Sequence, residues 1–272
     1  MTGFLVYDVF TDAPFGGNQL AVIPDAGDLP EDRLQRIARE FNFSETVFLY
    51  PGETWRARIF TPGMEVPFAG HPTVGAGVAL AEMGEGPELT LALGIGPVRL
   101  ELGDGEAAFT VTRPLEVLAE VDPDLVARAL SLGPKAVKGQ PIKAGVGLEF
   151  VLAELDSRAA LSACLPVTDA FREGAARYPE GLDFAIFAYR RDGAEVHARM
   201  FAPLDGIPED PATGSAAAAL AAVLAASAGP VDLVVHQGHD MGRPSRIAVS
   251  AGPDGVRVAG RAVRTMEGRL TL

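Results

Sequence analysis

The sequence predicts an α/β (α+β) protein built twice over, each half a strongly curved sheet around one central buried helix. Three observations carry this. An internal repeat runs through the chain, each repeat holds a helix that is apolar on every side, and the rest of each repeat reads as short strands.

The repeat is direct. Arg58-Ile59-Phe60-Thr61-Pro62 matches Arg199-Met200-Phe201-Ala202-Pro203, and upstream Phe48-Leu49-Tyr50 matches Phe187-Ala188-Tyr189. Downstream, His71-Pro72-Thr73-Val74-Gly75-Ala76-Gly77 matches Asp210-Pro211-Ala212-Thr213-Gly214-Ser215-Ala216. The offset is 139 residues at Tyr50, 141 at Arg58 and 139 again at Pro72, so two compensating gaps align the halves. Repeats of this kind decide the architecture before any single element does.

The elements follow in order. Residues 5–10 and 20–23 are apolar runs broken by Gly16-Gly17, which read as strands and a turn. Leu34, Ile37, Ala38 and Phe41 fall at i, i+3, i+4 and i+7, the stripe of an amphipathic helix beginning after Pro30. Strands are predicted at 46–50, 56–60, 89–93, 98–102 and 107–112, and again at 143–155, 184–189 and 231–236. Residues 74–80 and 216–224 carry almost no polar side chains, and a helix apolar all round is buried on all sides. Pro72 and Pro211 are expected at first helical positions, with Asp210 as the N-cap of the second helix. The predicted halves are 1–113 and 114–259, with a strand at about 260–272 returning to the first and a linker within 113–141.

Composition narrows the function. The chain has 272 residues, 48% hydrophobic and 22% charged, enough to build a core without staples. A net charge of −13 repels phosphate backbones and argues against a nucleic-acid partner. Cys164 is the single cysteine, which excludes an intrachain disulfide and any two-cysteine mechanism. Residues 1–10 have no basic region and include Asp8, unlike a secretory signal, and 216–228 is too short and alanine-rich to span a bilayer. The expected location is the cytoplasm, with no membrane partner.

Each buried helix starts with glycine beside one polar group. Free N–H groups and a partial positive charge at a helix start seat a carboxylate, so Gly70 and Gly214 point to a small acidic ligand in a cleft between the halves. The plainer reading of these glycines is a tight turn. His71 and Asp210 occupy matching places, where the alternatives are a turn histidine and a pure helix cap. Glu45, in Phe43-Ser44-Glu45-Thr46-Val47-Phe48, enters an apolar strand, where burial beside Phe43 or Phe48 raises a carboxyl pKa toward what a general base needs. The alternative is a surface carboxylate. Its counterpart in the repeat is Phe184, so one half carries a base and the other does not. A single base removes and returns a proton on one face, moving it along a conjugated system, whereas an epimerase uses two. Asp210 as a second base keeps the epimerase or racemase reading open, and a binding protein without turnover is the rival from another class. His236 and His239 with Asp240 suggest a metal site, but the spacing puts no third ligand on a clear face, and no Walker A or Rossmann fingerprint occurs.

Taken together, several motifs make the chain similar to a known family. They are Val9-Phe10-Thr11-Asp12 with Phe15-Gly16-Gly17-Asn18, Ser44-Glu45-Thr46, Gly70-His71-Pro72-Thr73, Asp210-Pro211-Ala212-Thr213-Gly214-Ser215, and Gln237-Gly238 with Gly242-Arg243-Pro244-Ser245. Nearly end to end, the sequence resembles the PhzF-like phenazine-biosynthesis family, a branch of the diaminopimelate epimerase fold. The resemblance implies a cofactor-independent, metal-free isomerase, often a homodimer, acting on a small carboxylate-bearing molecule. It implies Glu45 as proton shuttle, His71 and Asp210 as groups that bind and polarise substrate, and Asn18, Gly70, Gly214 and Ser215 as pocket residues. The best-known member isomerises trans-2,3-dihydro-3-hydroxyanthranilate. Two positions depart from pattern: Gln19 follows Asn18 where the family has proline, and Ala69 and Thr213 stand where the epimerase branch has cysteines.

Overall fold

A computed structural model describes residues 2–181 and 183–271. The chain divides into two compact units, one running to Thr110 and taking in the chain again from Val258, the other spanning Val111–Arg257.

The first unit holds β1 (Thr2–Val9), β2 (Asn18–Ile23), α1 (Glu31–Phe41), β3 (Glu45–Tyr50), β4 (Trp55–Phe60), β5 (Glu65–Val66), α2 (Gly70–Glu82), β6 (Glu88–Leu93), β7 (Gly96–Gly103) and β8 (Glu106–Val111). The second holds β9 (Glu116–Glu120), α3 (Pro123–Ala129), β10 (Ile142–Gly145), β11 (Glu149–Glu154), α4 (Arg158–Ser162), α5 (Thr168–Arg177), β12 (Ile186–Asp192), β13 (Glu195–Ala202), β14 (Ile207–Asp210), α6 (Gly214–Ala228), β15 (Val231–Gln237) and β16 (Ser245–Gly252). The last strand, β17 (Gly255–Leu270), begins in the second unit and continues in the first.

In the first unit the ladder runs β17–β1–β2–β3–β4–β6–β7–β8 and closes where β8 pairs with β17. Two of its pairs, β2 with β3 and β4 with β6, are parallel. The second unit repeats the order β10–β11–β12–β13–β15–β16, with β11–β12 and β13–β15 parallel at the matching places. The repeat read from short motifs is therefore a repeat of strand pairing.

Closing a sheet puts one helix at its centre. α2 packs on β1, β2, β3 and β7, and every residue from Gly70 to Leu80 is buried. α6 packs on β10, β11, β15 and β16, with its alanines from Ala216 to Ala219 buried. Small residues are needed because strands approach the helix backbone directly: a Cβ on Gly77 would lie 2.7 Å from the Cβ of Ala107. α1 instead lies outside the barrel, its Leu34, Ile37 and Ala38 packed with Ile23, Phe48 and Phe60. Asn42 ends α1 in the left-handed conformation at φ 53°.

One expectation is narrowed and one corrected. Within 113–141, where the linker is expected, irregular chain at 112–115 precedes β9, and the rest holds β9 and α3, whose Val121, Leu125, Val126, Ala129 and Leu130 join the core of the second unit. Their apolar residues sit four apart between prolines, so burial wins over the breakers. The helix starts also differ. α2 begins at Gly70, leaving Pro72 within its first turn, where a missing N–H costs nothing. α6 begins at Gly214 with Thr213 as its N-cap, so Asp210 ends β14 and does not cap the helix.

Candidate functional site

In the first unit, the parallel pairing of β2 and β3 brings the start of one strand beside the start of the other, Leu20 opposite Glu45. Asn18, Ser44 and Glu45 therefore cluster at one end of the barrel, where α2 begins with Gly70 and His71. His71 Nδ1 lies 3.4 Å from Glu45 Oε2 and 3.4 Å from Asn18 Nδ2. Ser44 Oγ donates to Asn18 Oδ1 at 3.4 Å.

Burial holds the His71 pKa at about 3, only partly opposed by a backbone contact with Gln19. The positive end of α2 acts in the same direction. At neutral pH the imidazole is uncharged, so its contact with Glu45 is not an ion pair. A neutral ring carries one hydrogen. Nδ1 faces both the Asn18 amide and Glu45 Oε2. Nε2 is buried and has no hydrogen-bond partner among the described residues, which leaves it for a ligand.

A stability consequence follows. The unfolded imidazole takes up a proton near pH 6.5 that the folded one refuses until about pH 3. Stability conferred by neutral His71 is complete above pH 6.5 and declines as pH falls through that window, at up to about 1.4 kcal/mol per pH unit. Urea midpoints of wild type and His71→Gln at pH 7 and pH 5 check this: the wild type should lose more on acidification.

In the second unit, Asp210, Thr213, Gly214 and Ser215 stand together at the start of α6. Thr213 Oγ1 donates to Asp210 Oδ2 at 2.5 Å, so the N-cap side chain is turned away from the helix it precedes. Gln237, fully buried on β15, accepts from Thr213 N at 3.1 Å and donates to Asp210 O at 2.7 Å and to Thr213 Oγ1 at 3.0 Å. Ser245 Oγ lies 2.9 Å from Pro211 O and 3.1 Å from Gln237 O. Gly238, at φ 73°, lets the chain pass: a Cβ there would lie 2.3 Å from Arg243 O. Sequence reasoning assigned no role to Ser44, Thr213, Gln237 or Ser245, although all four fall inside its motifs.

Phe184, the counterpart of Glu45, is fully buried against Phe171 and Tyr178. Of the other histidines, His236 Nε2 is 2.5 Å from Glu195 Oε2, with the rings of His197 and His239 against it, and Asp240 pairs with Arg158. No group of three His, Cys, Asp or Glu among the described residues is placed to hold a metal ion. Burial pushes the Cys164 thiol up to about 12, which keeps it unreactive at neutral pH. No helix among the described residues is long and apolar enough to cross a membrane.

Comparison with known proteins finds relatives along nearly the whole chain. Residues 7–268 match the model of the family described as phenazine biosynthesis-like protein, PhzC-PhzF. The chain is 36% identical to the trans-2,3-dihydro-3-hydroxyanthranilate isomerase of Pseudomonas aeruginosa, over the whole of both chains. It is 37% identical to an uncharacterized isomerase of Mesorhizobium japonicum, over 98% of each. Among solved structures, the phenazine biosynthesis protein of the PhzF family from Bacillus anthracis superposes with a TM-score of 0.89 at 25% identity, covering 100% of this chain and 99% of that one.

Proposed function

The chain belongs to the phenazine biosynthesis-like PhzC-PhzF family and is an isomerase, and from this premise we propose that Glu45 shuttles one proton across one face of a small carboxylate-bearing substrate. The observation that supports this reading is the asymmetry of the repeat: a carboxyl group 3.4 Å from a neutral imidazole in one half, and a buried phenylalanine at the same place in the other. Glu45 as carboxylate takes a proton from carbon, the released electron pair shifts along the adjoining double bond, and the carboxylic acid returns the proton at the far end. His71 donates through Nε2–H to the substrate and Asp210 helps to polarise it, with Asn18, Gly70, Gly214 and Ser215 around the ligand. Only a proton moves, so the proposed chemistry calls for no cofactor or metal.

The substrate we propose is trans-2,3-dihydro-3-hydroxyanthranilate or a near analogue, the molecule in the name of the Pseudomonas aeruginosa relative. The enzyme is read as cytoplasmic and as a homodimer, and sedimentation of the purified chain tests the dimer. The reaction itself is tested in deuterium oxide. One-base transfer carries part of the substrate's own hydrogen to the new C–H position, diluted by deuterium as Glu45 exchanges with solvent, with the neighbouring stereocentre retained. Inversion at the deprotonated carbon would replace this reading by a two-base epimerase using Glu45 and Asp210, and ligand binding without exchange would make the protein a binder.

A further inference from the structure

We infer that Gln237 is a positioning residue for Asp210, acting through the hydroxyl of Thr213 to keep Asp210 an ionised, hydrogen-bond-accepting carboxylate. The argument is a count of protons. A threonine hydroxyl has one hydrogen and two lone pairs, and an amide NH₂ can only donate. Gln237 Nε2 lies 3.0 Å from Thr213 Oγ1 and uses one of those lone pairs. The hydroxyl hydrogen must then leave in another direction, and Asp210 Oδ2 is there at 2.5 Å. The amide itself cannot flip, because its oxygen accepts from Thr213 N at 3.1 Å and its nitrogen donates to Asp210 O at 2.7 Å. Every member of the chain is buried, so water does not compete for these hydrogen bonds. A donor fixed on a carboxylate favours its charged form.

The charged groups on the elements neighbouring Asp210 have partners of their own. Its neighbour Glu209 lies on the opposite face of β14 and is clamped by Arg199. That arginine spends its remaining donor on the carbonyls of Leu161, Ser162 and Cys164. Met200 faces Asp210 in the ladder, and the first turn of α6 holds no acidic residue. On β15, His236 is held by Glu195.

The inference rests on the proposed contact of Asp210 with substrate, yet its test needs no substrate. The readout is the titration midpoint of Asp210 in the full chain, followed by NMR with carboxyl-labelled aspartate and assigned with Asp210→Asn. Thr213→Val should raise the midpoint by about one unit or more, and Thr213→Ser should restore it. Gln237→Met should raise it in the same direction and add nothing further in the Thr213→Val background, since both act through one hydrogen. Should Gln237→Met not fold, Gln237→Asn, which draws the amide back by one methylene, carries the same expectation. An unchanged midpoint in the Gln237 variant, or shifts that simply add, overturns the inference. Absence of turnover in the wild type would instead fail the proposed function and leave this result standing.

Discussion

Glu45→Gln should lower isomerisation by roughly 10²–10⁴-fold, the contribution of a positioned general base. Glutamine keeps the length and hydrogen-bonding capacity of the side chain but cannot carry the proton. The residue opens β3, whose next four side chains are buried, so the strand and its pairing with β2 and β4 persist in the variant. Melting temperature and ligand affinity should therefore stay close to wild type while turnover collapses. Solvent-deuterium incorporation into unreacted substrate should vanish with it, because wash-in and product formation use the same carboxylate. A variant that keeps more than about a tenth of wild-type turnover would remove Glu45 from the role of base. His71→Asn makes the companion case: it removes a buried donor at Nε2 but leaves the base, so turnover falls less and exchange survives.

The residues that recur were legible in the sequence because recurrence is local. Arg58 and Arg199, or Pro72 and Pro211, need only be compared along the chain, and the all-apolar segments of α2 and α6 announce burial without reference to any partner. Family resemblance located Glu45, His71 and Asp210 by motif. What could not be read was whatever depends on strands meeting across long separations. Asp210-Pro211 carries the local signal of a helix cap, yet its turn is satisfied by Gln237 on β15, 27 residues from Asp210 and 24 from Thr213, and the helix starts later as a result. The Ser44–Asn18–His71 contacts likewise exist only because β2 and β3 run parallel. The span 113–141, within which a linker is expected, holds mostly ordered chain, because the burial of Val121, Leu125 and Leu130 is a tertiary fact.

The two repeated arginines give the largest expected effect on stability, and their environments set them apart. Arg199 binds Glu209 through two hydrogen bonds, 2.8 and 2.7 Å, and its Nη1 reaches the carbonyls of Leu161, Ser162 and Cys164 at 3.0–3.1 Å. Those carbonyls come from the end of α4 and the chain after it, so one side chain holds β13, β14 and α4 together. The pair is nearly dry, with side-chain exposures of 9% and 14%. Arg58 makes the same fork with Glu65 and adds Glu31, but those carboxylates are 41% and 75% exposed. Arg199→Ala should cost about 3–5 kcal/mol, because it strands a buried carboxylate and takes a donor from three carbonyls. Arg58→Ala should cost about 1 kcal/mol or less, since water takes over its partners. Urea denaturation followed at Phe- and Tyr-sensitive wavelengths compares the two. Replacing both members of the buried pair, Arg199→Met with Glu209→Leu, should recover much of the loss, as removing two charges together leaves neither unpaired. Equal costs at Arg58 and Arg199 would mean that burial does not separate the two halves of the repeat, and that the carbonyls of α4 are satisfied without the guanidinium.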